Sequence, residues 1–419
     1  MRRRFGDLFT MPTMNGTLVL TLTPEGAKEI LAGRESDFVV GFGVEAAAPI
    51  IGSNSLLMLS GERHQRERKL LSPTFHGARM RGYAPAMLQS AVDELEGWSP
   101  GREIVAHERM QAISLDVILH TVFGVQAPER MAAFREAVRL GVSEVSPGPI
   151  FFKFLQREFG GFGPWARFQR RLRHLDDLIY AQIAEARRQD EEREDVLAKL
   201  VGARYEDGTP LSDQAVRDQL LTLLVAGHET TGTTLAWVLY ELHRNPEALA
   251  KVRDEVVALG PDPDPDALAG LPYLGAVCQE TLRMHPILAE FFRTVKESYA
   301  FQGYQIPAGI TLAASILVIQ QNPELFPEPA RFRPERFLER RFSPWEFAAF
   351  GGGHRHCIGA AFAMSELKIV LATLLSRVEL SLGLERPLRT VRRNLTLAPE
   401  KGVPMRVERW LVPAGRRAA

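Results

Sequence analysis

The chain has almost no cysteine. Of 419 residues only Cys278 and Cys357 are of this type, which excludes a disulfide scaffold, points to a reducing compartment and leaves the thiols for packing or chemistry. It has no net charge either. Lysine and arginine number 51, and so do aspartate and glutamate, which excludes a globally basic nucleic-acid binder. Long apolar runs are also missing. The longest uncharged stretch, 298–323, is broken by prolines and glutamines, and the basic start MRRRFGDLFT is followed by no apolar region. These absences predict a cytoplasmic protein without a signal peptide or membrane segment. What remains, 45% hydrophobic and 24% charged residues, is the composition of an ordinary globular chain.

No internal repeat is present, and the one low-complexity patch, PDPDPD at 261–266, reads as a stiff surface loop. Near the start, DLFTMPTM and TLVLTL flank Asn15-Gly16, a pair suited to a tight hairpin turn. PEGAKEILAG then opens a region of helical periodicity that lasts to about residue 290. From Asp213 to Arg244 there is no proline, and Asn245-Pro246 closes the run, which predicts a helix about 48 Å long at 1.5 Å per residue. Its middle is apolar nearly all round, so it should cross the core. Within it lies AGHETT at 226–231, whose glycine, histidine, glutamate and threonines all weaken a buried helix; such local rule-breaking marks a functional segment. Beyond residue 290, YAFQGYQIPAG and ITLAASILV read as short strands, FPEPARFRPERF at 326–337 as an ordered meander, and the last helix should open at about Cys357. The fold class is mainly α with small, separate β-sheets, in one large domain over 1–419.

Two segments carry chemistry. In FGGGHRHCIG at 350–359, three glycines before Cys357 and Gly359 after it permit tight turning and close approach of backbone to another group. A helix start at the cysteine, with Arg355 nearby, would favour thiolate and make Cys357 a metal ligand or nucleophile instead of a buried hydrophobe. A zinc site from His354, His356 and Cys357 is spaced too tightly. In ETLR at 280–283, Glu280 and Arg283 share a helix face and can pair, which alone describes any surface ion pair.

Taken in order, AGHETT, ETLR, FRPERF and FGGGHRHCIG resemble the four signature segments of the cytochrome P-450 family of heme-thiolate monooxygenases. Phe350, Gly353, Arg355, Cys357 and Gly359 fit the family's F-x-x-G-x-R-x-C-x-G. GSNSLLMLSGERHQRERKLLSPTFHGARM is most similar to soluble bacterial members of cyanobacteria and myxobacteria, among them fatty-acid and terpene hydroxylases. The resemblance implies that Cys357 ligates the iron of heme b. It implies that Glu229 and Thr230 form an acid–alcohol pair delivering protons to dioxygen, beside a helix distortion at Ala226 and Gly227. His64, Arg68, Arg293 and Arg355 would neutralise the heme propionates, and Phe350 and Gly351 would border the ring. Glu280, Arg283 and Arg336 would form a structural ion network behind it. The segments PIIGSNSLLML, LLVAGHET and PILAEFF would line a pocket for a small hydrophobic substrate, with Glu290 either a buried polar anchor or paired to an arginine.

Electrons are then expected from a ferredoxin or flavodoxin with its reductase, docking on Arg63, Arg66, Arg68 and Lys69. Two other readings keep the heme: a peroxide-driven peroxygenase or isomerase, which the intact Glu229–Thr230 pair disfavours, and a heme-based gas sensor. Relative to the family, the chain is expected to lack the usual first N-terminal segment before RRFGD at 3–7.

Overall fold

The computed structural model describes residues 2–411 apart from 14–15, 40–46, 144–155, 157–159, 190–192, 385 and 394–395. Strands β1 (Leu8–Thr13) and β2 (Gly16–Thr21) form the predicted hairpin, with Gly16 at φ +121°; Asn15 lies outside the described residues. Helix α1 (Pro24–Ala32) follows, opened by Thr23, whose hydroxyl accepts from the Gly26 amide. With β3 (Phe38–Val39), these strands belong to a five-stranded sheet completed by β4 (Glu290–Val295) and β5 (Thr311–Ser315). The order is β1-β2-β5-β4-β3, and only the β2–β5 pair is parallel.

The helical body is the larger part. Helix α2 (Gly61–Leu71) carries His64 and Arg68, α3 (Ala106–Thr121) packs along α4 (Asp213–Arg244), and α5 (Pro272–Met284) carries ETLR. α4 has the predicted limits. Ser212 caps its start by accepting from the Ala215 amide, and Asn245 at its end donates to the Glu241 carbonyl at 2.8 Å. Its buried apolar residues, such as Leu220, Leu224, Leu235 and Trp237, join α3 and α6 (Ala360–Arg377) in the main core. Cys278 is buried in that core, where burial pushes its thiol up to about 12. A last hairpin pairs β6 (Thr390–Arg393) with β7 (Thr396–Pro399).

Two local expectations change. α6 opens at Ala360 with Gly359 as its N-cap, so Cys357 precedes the helix instead of starting it. The meander is ordered, but Arg336–Glu339 forms a helical turn within it. No helix among the described residues is long and apolar enough to cross a membrane.

Candidate active site

The cysteine loop closes against α1. Gly351 and Gly353 have φ of +69° and +62°, and a Cβ added at Gly353 would lie 1.8 Å from the Leu31 carbonyl oxygen. The close approach that the glycines permit is therefore to protein backbone. Gly353→Ala should lower stability by about 2–4 kcal/mol, read as a fall in the urea midpoint of the purified protein. An unchanged midpoint would contradict this packing.

At the end of the loop the Cys357 amide donates to the Phe350 carbonyl at 2.8 Å. The residue is open on one side and crowded by protein on the others, so its thiol is raised by burial against the pull of the Gly359 amide and Arg68. Arg355 is not the cation beside the sulfur. Its guanidinium donates to the Leu56 carbonyl at 3.1 Å, to the Leu59 carbonyl, and to Glu35 at 3.1 Å. The loop that offers these carbonyls is clamped to α4: Asp218 accepts from the Asn54 amide at 3.0 Å, and Gln219 from the Leu56 amide at 3.1 Å.

The groups expected to hold propionates converge. His64 is buried with Nδ1 2.7 Å from Glu35, and burial with the charge of Arg355 pushes it down to about 4. Arg68, one turn further along α2, donates to the His356 carbonyl at 2.7 Å and so also clamps the cysteine loop. The Arg293 guanidinium on β4 donates to the neighbouring Phe292 carbonyl at 2.9 Å, and desolvation lowers its pKa to about 10. No ion pair for Arg293 occurs among the described residues. A guanidinium without an ion pair among the described residues, in a cluster whose Arg68 acts on the open thiol, is a donor set that fits an anionic porphyrin whose iron takes a sulfur ligand.

On α4 the expected acid and alcohol are adjacent but face different partners. Glu229 accepts from the Thr396 hydroxyl of β7 at 2.9 Å, and burial raises its pKa against Thr396 and Arg393. Thr230 donates to the Ala226 carbonyl at 2.7 Å, the back-bonding available to any helical threonine. The helix distortion expected at Ala226 and Gly227 is absent, since α4 is continuous through both. Gly227 turns its missing side chain toward Ile118 of α3, 2.8 Å from a built Cβ, so its small size serves helix packing. Ala226 alone is exposed within this stretch.

The ion network is formed as expected and fully buried. Arg283 grips Glu280 with two bonds of 2.8 and 2.9 Å, and Arg336 reaches the same carboxylate at 3.1 Å. The arginines also hold the carbonyls of Gln320, Pro329 and Pro327, which fastens the meander to α5. Of the two readings of Glu290 the arginine pairing is the one seen, with Arg392 at 3.3 Å. The basic docking face is largely neutralised: Arg66 pairs with Asp207 at 3.2 Å, Lys69 with Glu206 at 2.6 Å, and Arg68 points inward. Sequence reasoning missed Glu35, Asp218 and Thr396. Only Asp218 left a trace, as a charge inside an apolar helix.

A family model described as Cytochrome P450 matches residues 1–405. "Putative cytochrome P450 135B1" of Mycobacterium tuberculosis is 36% identical over 413 residues, covering 97% of this chain and 85% of that protein. "Putative cytochrome P450 137" of the same species is 36% identical over 411 residues, covering 96% and 83%. Among solved structures, the retinoic acid-bound cyanobacterial CYP120A1 superposes with a TM-score of 0.84 at 25% identity, covering 97% of this chain and 92% of that one. The cytochrome P450DA heme domain gives 0.85 at 25%, covering 96% and 90%. These similarities establish that the chain belongs to the cytochrome P450 family of heme monooxygenases.

Proposed function

We propose that residues 1–419 act as one domain that holds heme b through Cys357 and inserts one oxygen atom of dioxygen into a hydrophobic substrate. The observation that carries this is the open Cys357 thiol beside an arginine cluster poorer in carboxylates than in cations. Bound there, heme supplies the activation of dioxygen that no side chain provides. Cys357 would bind as thiolate, its proton released to solvent on coordination. His64, Arg68, Arg293 and Arg355 would hold the propionates, with Phe350, Gly351 and Ala226 bordering the ring.

Glu229, whose pKa is raised by burial, holds a proton closer to neutrality than an ordinary carboxyl does, as a relay requires. Thr230 donates its hydroxyl hydrogen to the Ala226 carbonyl, which leaves the oxygen's lone pairs to accept from water. Thr230→Ala should cut product formed per electron pair consumed by about tenfold or more, with the excess emerging as peroxide. Unchanged coupling would remove the relay role and favour the peroxide-driven reading.

The apolar cluster of Ile50, Ile51, Trp165 and Phe168, with Val225 of α4 against it, supports an apolar substrate. Retinoic acid, bound by the cyanobacterial relative, is a sensible first compound in a spin-shift screen of fatty acids and terpenes. Electrons would come from a ferredoxin or flavodoxin with its reductase. A groove of about 340 Å³ beside the cysteine loop, lined by Phe342, Pro344, Phe347 and Met364, suits that approach better than the neutralised basic face.

A further inference from the structure

Glu35 is the one charged group of the propionate cluster that the proposed function leaves without a task. It stands in the short turn after α1 with its side chain 7% exposed, 3.1 Å from Arg355 Nη2 and 2.7 Å from His64 Nδ1. Arg68 and Arg293 also lie within its electrostatic reach. The charge count gives it meaning. His64, pushed down to about 4, is neutral at pH 7, so three guanidinium groups face one carboxylate and two positive charges remain. A porphyrin with two propionates balances that number. Without Glu35 the cluster would hold three positive charges, one of them uncompensated where charge is costly to bury.

From this geometry we infer that Glu35 is a resident counter-carboxylate of the cofactor site. It positions His64 and Arg355, matches the cluster to a dicarboxylate porphyrin, and keeps the heme harder to reduce than the arginines alone would make it. This role rests on the heme-binding reading above.

The test uses the heme-loaded protein and two readouts other than turnover: the ferric–ferrous midpoint potential and the rate of heme transfer to apomyoglobin. Glu35→Gln is compared with Glu62→Gln, which removes an exposed carboxylate from the helix that bears His64. Glu35→Gln should shift the ferric–ferrous ratio toward ferrous by about threefold or more at a fixed poise, and Glu62→Gln by less than about twofold. Glu35→Asp keeps the charge but, one methylene shorter, draws back the oxygen that both His64 and Arg355 contact. It should match the control in potential and release heme faster. Equal shifts in Glu35→Gln and Glu62→Gln would overturn the role, as would an Asp variant that shifts as far as the Gln variant. If Glu35→Gln takes up no heme, Glu35→Gln/Arg355→Gln regains two positive charges; loading near the wild-type potential supports the role, and failure to load overturns it. Wild-type protein that binds no heme would instead refute the functional reading on which the role depends.

Discussion

Replacing Glu280 with glutamine is expected to destabilise the protein by about 3–5 kcal/mol, enough to bring a marginally stable domain close to unfolding. Glu280 and Arg283 have fully buried side chains, and Arg336 is 4% exposed. The carboxylate accepts from both guanidinium groups and from the Arg333 amide. Glutamine is nearly isosteric, so packing is kept, but two buried cations lose their shared anion. Arg336→Met should cost less, because the pair left behind is neutral and Arg283 keeps its two bonds to Glu280. Urea unfolding of the two variants tests the order. A Gln variant as stable as the Met variant would show that charge balance does not govern the triad.

Cys357→Ala inverts that pattern. The side chain is open on one side and makes no hydrogen bond among the described residues that holds two elements together, so the heme-free protein should lose less than about 1 kcal/mol. Turnover should nevertheless fall by about a thousandfold or more, since an iron ligand that donates electron density is lost. Product formation with electrons supplied, measured beside the unfolding midpoint, separates the two effects. Turnover within tenfold of wild type would deny Cys357 the ligand role.

The long helix, the hairpin and the Glu280–Arg283 pair were legible in the sequence because each depends on residues close together or on fixed spacing, whereas Arg336 joined that pair only through the family resemblance. Asp213–Arg244 is bounded by a cap and a proline, and Glu280 and Arg283 are three apart on one face. The rest depended on distant residues. Glu206 and Asp207 neutralise a basic helix about 140 positions earlier, where local charge patterning shows only an unbalanced face. Gly353 is demanded by Leu31, and Glu35 gains meaning only when folding brings Arg355 to it. The threonine hydroxyls show a different limit. Thr230 and Glu229 were correctly placed on α4, but whether a side chain turns to the cavity, to its own helix or to β7 is decided by packing.

Thiolate ligation by Cys357 is the central claim, and the carbon monoxide difference spectrum of the dithionite-reduced, heme-loaded protein tests it most directly. The absorption maximum should stand at the long-wavelength position of a thiolate-ligated heme and disappear in Cys357→Ala. A maximum at the shorter wavelength of a histidine-ligated heme in freshly prepared wild-type protein, or one that survives in Cys357→Ala, would contradict it.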